Sequence, residues 1–148
     1  MAATEKNCEK RFRSMQERYL MAISEGRRGY IPLDFVSCSE EEKTLELALT
    51  VSFDLLNHSG IMHGGMCATV FDVAMGFTTN MFSEAEKEVT VELQTSYLRP
   101  IPEGIRLHVR CYAQMIGRSI SHIRCEAFDE KNPGRILAAG TAVYHAII

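Results

Sequence analysis

The chain of 148 residues has little proline, no long hydrophobic run and almost no excess charge. Only 4 prolines and 10 glycines beside 46% apolar residues favour a packed domain over a disordered segment. A formal charge of −3 argues against nucleic-acid binding, which normally requires a basic face. We expect no membrane span, because no apolar stretch of about 18 residues lacks charge. The charged N-terminal segment also lacks the apolar core of a secretory signal.

The five cysteines are odd in number and widely spaced, and no two of them form a Cys-x-x-Cys pair. Such spacing is typical of neither a disulfide framework nor a zinc site. We therefore predict free thiols throughout and a protein of the reducing cytoplasm. The residues concerned are Cys8, Cys38, Cys67, Cys111 and Cys125.

Hydrophobic periodicity predicts a helix, two strands, a second helix and then four more strands. Residues 5–25 carry apolar side chains at helical spacing, and we expect Gly26 and Gly29 to end that helix. A short strand near residues 31–37 follows. In residues 45–53 apolar and polar residues then alternate, as in a half-buried strand.

The segment from Gly64 to Met81 is long, almost uncharged and free of proline, which predicts a buried helix. Strands are expected after it near residues 89–97, 105–115, 123–127 and 136–147. The first should present one face made of Val89, Val91, Leu93, Thr95 and Tyr97. The second should present one face made of Ile105, Leu107, Val109, Cys111, Ala113 and Met115. The last is apolar on both faces, which favours a central position in the sheet or an interface.

Short links between consecutive strands predict an antiparallel sheet, and a single apolar helix requires that sheet to curve around it. No repeat, low-complexity tract or linker interrupts the pattern. The predicted fold class is therefore one α+β domain over residues 1–148, with residues 1–30 as an N-terminal helical extension.

Two glycines, Gly64 and Gly65, open the predicted buried helix. The first turn of a helix exposes N–H groups at the positive end of its dipole, and glycine lets an oxygen atom approach them closely. This pattern favours a site that polarises a carbonyl group. It is also compatible with tight packing of the helix against a strand.

Asp72 lies about two turns inside the same helix, between Phe71 and Val73. An unpaired carboxylate on so apolar a helix would be costly, so we expect it to have either a partner or a catalytic task. The alternatives to catalysis are a solvent-filled gap beside Asp72 or an ion pair with Arg106 or Arg110.

Gly64 and Asp72 are eight residues apart in the sequence, which separates them by about 12 Å along one helix. The tilt of the side chain recovers only a small part of that distance. One carbonyl group therefore cannot contact both residues of the same chain. A joint site has to combine the helix start of one subunit with the Asp of another, so we predict at least a dimer. In it the helix start polarises a carbonyl and the carboxylate acts as base or nucleophile.

The string NHSGIMHGG at residues 57–65, followed after six residues by Asp72, resembles the signature of hotdog-fold acyl-CoA thioesterases. The branch concerned is typified by phenylacetate-pathway (PaaI-like) and small mammalian-type thioesterases. The segments TVEL at residues 90–93 and YLRP at residues 97–100 resemble the strand after the helix in that branch. The resemblance covers residues 45–147 and implies a hotdog fold, in which an antiparallel sheet wraps around one long central helix.

The resemblance implies an enzyme that hydrolyses the thioester of acyl- or aryl-CoA to the free acid and coenzyme A. It implies that Gly64 donates its N–H to the thioester carbonyl, which Asn57 helps to hold. Asp72 of the partner subunit would activate water or attack directly, and Thr90 would hold the water or the carboxylate. His63 would brace the glycine turn.

The turn Gly117-Arg118-Ser119 resembles a segment that lies near the coenzyme A moiety in relatives. Arg118 and Arg99 are therefore candidates for phosphate contacts, since a planar guanidinium suits phosphate. The predicted substrate-binding residues are His63, Gly65, Arg99, Gly117, Arg118 and Ser119. No metal or redox cofactor is expected, because coenzyme A is part of the substrate. Many relatives are tetramers of two dimers, so a dimer of dimers is expected here.

Three other interpretations stay open at this point. His58 and Asp72 are fourteen residues apart, which resembles one group of hotdog 3-hydroxyacyl dehydratases, although those carry Pro-Gly before the helix. A non-catalytic acyl-CoA sensor could use the same fold, although a pure binder gains little from a desolvated carboxylate. A metal site could be built from Asp54, His58 and His63, although they lack a recognised ligand spacing.

Overall fold

A computed structural model of the chain describes residues 3–25, 31–85 and 87–147, which form two long helices and six strands. The predicted order of helices and strands is confirmed. The bounds are α1 Ala3–Ser24, β1 Asp34–Ser39, β2 Thr44–Thr50, a short 3-10 turn Phe53–Leu55, α2 Gly64–Phe82, β3 Lys87–Tyr97, β4 Arg106–Ile116, β5 Ile120–Asp129 and β6 Ile136–Ile147. The predicted helix ends Gly26 and Gly29 lie outside the described residues, and α1 ends at Ser24.

The described strands form one antiparallel sheet in the order β1-β2-β4-β5-β6-β3. The strand β6 lies inside this sheet, which confirms the central position that its two apolar faces predict. Helix α2 packs against β2, β3, β4, β5 and β6, so the sheet wraps around it as expected. Its side chains Phe71 and Met75 are fully buried at the centre of the core.

The strand β2 differs from the half-buried strand that its alternating pattern predicts, because both of its faces are covered. Leu45, Leu47 and Leu49 pack inward, while Glu46 on the outer face is only 7% exposed. The Glu46 carboxylate accepts a hydrogen bond from Arg110 Nε at 2.6 Å. Polar residues of the neighbouring strand thus cover the outer face of β2. The alternation of residue types within β2 cannot show that its outer face is covered in this way.

Two β-bulges reverse the alternation of side chains that the sequence predicts. The bulge between Thr90 and Glu92 turns Thr90 inward beside Tyr144 of β6 and leaves Val91 62% exposed. The prediction that Val89 and Val91 share a face with Leu93 is therefore wrong, since one extra residue shifts the parity of a strand.

A second bulge, between Ala113 and Met115 of β4, places Met115 opposite the outward-facing His122. Met115 is 47% exposed, so its predicted place on the inner face is also wrong. Leu107, Val109 and Cys111, which precede the bulge, are buried as predicted.

The helix α1 packs on β1 and on the end of α2, where the Phe12 ring contacts Phe35 and Phe77. This packing places Cys8 beside Cys38 with 6.0 Å between their Cα atoms, and the two form a disulfide. The prediction that all five thiols are free is therefore wrong for this pair. The sequence spacing could not show it, because only the packing of the helix on the strand makes the two residues neighbours.

The remaining cysteines, Cys67, Cys111 and Cys125, are free and buried. Burial raises the pKa of the Cys67 thiol to about 12, which disfavours the nucleophilic thiolate at neutral pH. No helix in the described ranges is both long and apolar enough to cross a membrane.

At Gly140 of β6 the backbone lies close to a buried aromatic ring. A Cβ atom at this position would lie 2.8 Å from Cδ2 of the buried Phe71 ring and 2.9 Å from the Gln94 backbone oxygen. We expect Gly140→Ala to lower the free energy of unfolding by about 1–3 kcal/mol, because a well-packed core resists added volume. The measurement is chemical denaturation. Gly134→Ala is the matched control, since its Cβ would meet no atom within 4 Å. Equal unfolding midpoints for the two variants would contradict the prediction.

Candidate active site

The start of α2 presents a backbone donor, the Gly64 N–H, that has no partner among the described residues. His63 caps the helix, with its Nδ1 accepting the Gly65 N–H at 3.2 Å and its own N–H donating to Leu55 O at 2.7 Å. The first backbone bond of the helix runs from Cys67 N to His63 O. The N–H of Gly64 precedes it and is therefore one of the donors that a helix leaves unpaired at its positive end. His63 braces the turn through these bonds, and its further role in binding substrate stays a prediction.

Tyr97 covers the same helix start from β3. Its hydroxyl donates to Gly64 O at 2.7 Å and accepts from the Thr95 hydroxyl at 3.0 Å. A Cβ at Gly64 would lie 3.3 Å from the Tyr97 ring, tighter than ordinary contact. The sequence pattern includes Tyr97 in the matched strand but assigns it no role, because only the structure shows its hydroxyl on the glycine turn.

A cleft of about 320 Å³ opens beside this turn. Its lining includes three of the predicted site residues, namely Asn57, Gly64 and Arg99. The Oδ1 atom of Asn57 accepts the Ser59 N–H at 2.9 Å, which leaves the amide nitrogen of Asn57 as the donor for a ligand. The Arg99 guanidinium donates to the carbonyl of Ile136, at the start of β6.

Asp72 lies two turns further along α2 and is held by hydroxyl groups. Thr90 Oγ1 donates to Asp72 Oδ1 at 2.7 Å, so the structure brings these two predicted catalytic residues together. The Tyr144 hydroxyl lies 3.2 Å from the same Oδ1 and 2.8 Å from the Asp72 main-chain oxygen. The ion pairs considered for Asp72 are absent among the described residues, since Arg106 binds Asp34 and Arg110 binds Glu46.

The sequence reasoning missed Tyr144, although it contacts Asp72 directly. Burial and the nearby Asp72 charge both raise the pKa of the Tyr144 hydroxyl, so it stays protonated as a donor at neutral pH. Predicting this contact would have required knowing that β3 pairs with β6, because that pairing places Tyr144 opposite Thr90.

Within this chain the two halves of the predicted catalytic set remain apart. The start of α2 contacts Tyr97 at the end of β3, whereas Asp72 contacts Thr90 near the beginning of that strand. This agrees with the separation of about 12 Å that helix geometry gives for Gly64 and Asp72.

The turn Gly117-Arg118-Ser119 lies at the other end of α2. Its residues Gly117 and Arg118 border a cleft of about 810 Å³ together with Phe82 and Ser83. Arg118 and Ser119 are exposed. A Cβ at Gly117 would lie 2.5 Å from the Ile120 oxygen, so the turn itself requires glycine. The structure therefore does not bring this turn to the helix start of its own chain, where Arg99 lies.

No group of three or more His, Cys, Asp or Glu side chains in the described ranges could hold a metal ion. Asp54, His58 and His63 accordingly do not form the metal site that was considered for them. The site in the described residues consists of a helix N-terminus, an amide and a carboxylate held by two hydroxyl groups.

Comparison with known proteins shows the family of this chain. A family model described as "Thioesterase superfamily" matches residues 59–135, which is more than half of the chain. One relative, "Putative esterase F42H10.6" of Caenorhabditis elegans, is 32% identical over 92 residues, or 62% of this chain. The match spans 54% of that relative, so the chain covers about half of its length.

Solved structures show the same fold at low sequence identity. The E. coli PaaI protein from the phenylacetic acid degradation operon superposes with a TM-score of 0.77 at 19% identity, over 97% of this chain and 96% of its own. Smu.793 from Streptococcus mutans UA159, determined with acetyl CoA bound, has a TM-score of 0.72 at 20% identity, over 82% of this chain and 93% of its own. The chain therefore belongs to the thioesterase superfamily, and the hotdog fold that its motif implies is confirmed.

Proposed function

We propose that the protein is an acyl-CoA thioesterase whose active site is shared between two subunits. The observation that carries this proposal is the pair of half-sites on α2. One is the Gly64 N–H, which lies beside an open cleft and has no partner within the described ranges, and the other is a carboxylate, Asp72, held by Thr90 at 2.7 Å. A thioesterase needs both groups, because the carbonyl must be polarised and water must be activated. The binding of acetyl CoA by a protein of the same fold supports a coenzyme A thioester as substrate.

A dimer built on β3 would unite the half-sites. This strand of 11 residues forms one edge of the sheet, and most of its side chains are exposed. A long unpaired edge is a ready template for pairing with another chain. If β3 pairs with its own copy about a twofold axis, the two α2 helices lie on the same face and run in opposite directions. The Tyr97 end of one strand then lies beside the Thr90 region of the other, which brings Gly64 of one subunit towards the partner's Asp72.

In the proposed reaction the thioester carbonyl accepts the Gly64 N–H and the Asn57 amide of one subunit. Asp72 of the partner subunit takes a proton from water, whose oxygen bonds to the carbonyl carbon. The carbon–sulfur bond breaks as the tetrahedral intermediate collapses, and the departing thiolate takes up the proton. Thr90 keeps the carboxylate in place. Direct attack by Asp72, through an anhydride that water then hydrolyses, uses the same geometry.

The same twofold axis extends the proposal to the remaining predicted residues. It brings the C-terminal end of one α2 towards the helix start of the other. Arg118 on its exposed turn would then lie on the side from which a substrate reaches the partner's Gly64. Arg99 lines the cleft at Gly64 itself. We propose that these two guanidinium groups contact phosphates of the coenzyme A moiety, for which their planar donors are suited.

The test is hydrolysis of a panel of short-chain, long-chain and aryl acyl-CoA thioesters, followed by the thiol released. We expect release from at least one class, and the preferred class defines the pocket. The matching oxygen esters are the control, since they show whether the thiol leaving group is required. If every thioester binds without hydrolysis, the protein is a binder and the proposal is wrong. Hydration of an enoyl-CoA without thiol release would instead indicate a dehydratase.

A further inference from the structure

We propose that Tyr144 is a positioning residue for Asp72, holding the carboxylate so that one oxygen faces the substrate water. This inference rests on the proposed thioesterase function, because it concerns the same carboxylate. Tyr144 donates from β6, a strand that carries none of the residues of the predicted catalytic set. It would therefore act on turnover through Asp72 and would not touch the thioester.

The pairing of two strands places both donors at Asp72. Thr90 of β3 lies directly opposite Tyr144 of β6, so their side chains leave the sheet on the same face. Both hydroxyl groups reach Oδ1, at 2.7 Å from Thr90 and 3.2 Å from Tyr144. The β3 bulge just after Thr90 is what gives Thr90 this inward direction. The register of β3 on β6, the bulge in β3 and the position of Asp72 on α2 together favour one orientation of the carboxylate.

Both hydroxyl contacts of the carboxylate fall on Oδ1, which leaves the other oxygen for chemistry. Oδ2 of Asp72 receives no hydrogen bond from the described residues and is not among their buried unpartnered atoms. A carboxylate must present one lone pair to the water, and a fixed rotamer lowers the entropy lost on reaching that geometry. The single proton of the Tyr144 hydroxyl is shared between the Asp72 main-chain oxygen at 2.8 Å and Oδ1 at 3.2 Å, so the hydroxyl ties the carboxylate to the backbone of its own helix.

A glycine on α2, which has no side chain, leaves room for the Tyr144 ring beside Asp72. Gly76 follows Asp72 by one helical turn, and a Cβ there would lie 3.8 Å from Cε1 of Tyr144. Side chains four residues apart share one face of a helix. A residue larger than alanine at position 76 would therefore occupy the space of the ring. Tyr144 itself is 3% exposed, so its ring is held in place by the core.

The test is Tyr144→Phe, which removes the hydroxyl and keeps the ring. We expect kcat to fall about 10-fold to 100-fold, the loss of one hydrogen bond to a charged group, with KM within about twofold. Tyr112→Phe is the matched control, because Tyr112 lies on the outer face under the Arg124 guanidinium. That control should keep the wild-type kcat.

A double-mutant cycle separates positioning from a structural role. If Tyr144 acts through Asp72, adding Tyr144→Phe to Asp72→Asn should not slow the residual reaction further. An independent further loss, or a wild-type kcat in Tyr144→Phe alone, would overturn the inference. A failure of the proposed thioesterase function would give a different result, because the wild-type protein itself would then release no thiol from any acyl-CoA.

Discussion

Asp72→Asn should lower kcat for thioester hydrolysis by at least about 10²-fold to 10⁴-fold, the usual contribution of a general base. The amide has nearly the same shape as the carboxylate but cannot accept the proton of the attacking water or act as a nucleophile. Its oxygen can still accept the hydrogen bonds of Thr90 and Tyr144, which now reach Oδ1. The loss should therefore appear in turnover, with the fold and the oligomer unchanged.

The measurement compares kcat of Asp72→Asn with the wild type on the best substrate, beside circular dichroism and gel filtration of both proteins. Asp54→Asn is the control for removing one negative charge, because Asp54 is exposed in the short turn before α2. We expect this control to keep the wild-type kcat. Turnover of Asp72→Asn within threefold of the wild type would rule out Asp72 as base or nucleophile.

The fold could be predicted from the sequence largely because helix and strand periods are local properties. The run from Gly64 to Met81, which is charged only at Asp72, predicts α2 to within one residue of its observed end at Phe82. The inner positions Leu45, Leu47 and Leu49 of β2 are likewise correct. The errors in which strand residues face inward fall where a single inserted residue changes a strand. The residue types around the two bulges, at Val91 in β3 and between Ala113 and Met115 in β4, give no sign of them. Each bulge nevertheless reverses which side chains of its strand face the core.

The groups proposed to act on the substrate could be singled out from the sequence, and the resemblance added Thr90 and His63 as their support, but one supporting contact, that of Tyr144, could not be predicted. Gly64 and Asp72 could be found because glycine at a helix start and an acid on an apolar helix are unusual. Tyr144 could not, since it is 72 residues away from Asp72 and meets it only through the register of two strands. The Cys8–Cys38 disulfide escaped for the same reason, because the packing of α1 decides which residues become neighbours.

Gly64→Pro should lower kcat/KM about 10²-fold to 10³-fold relative to Gly64→Ala, which is the effect of removing one oxyanion donor. Proline deletes the N–H and is well accepted at the first position of a helix. His63 already has φ −62° and ψ 133°, the conformation that a following proline requires. Alanine keeps the N–H and adds the same Cβ, which lies 3.3 Å from the movable Tyr97 ring. Equal activity of the two variants would exclude the Gly64 N–H as the donor.

The two inactive variants should restore activity when they are combined in one dimer. A subunit carrying Asp72→Asn still has an intact helix start, and a subunit carrying Gly64→Pro still has an intact carboxylate. In the shared site, the heterodimer contains one site with both groups intact and one site with neither. Heterodimers purified through two different tags should therefore show about half of the wild-type kcat. If each site were contained within one chain, both sites of the heterodimer would carry a substitution and the heterodimer would be inactive. An inactive heterodimer would therefore disprove the shared site, even if both single variants behave as expected.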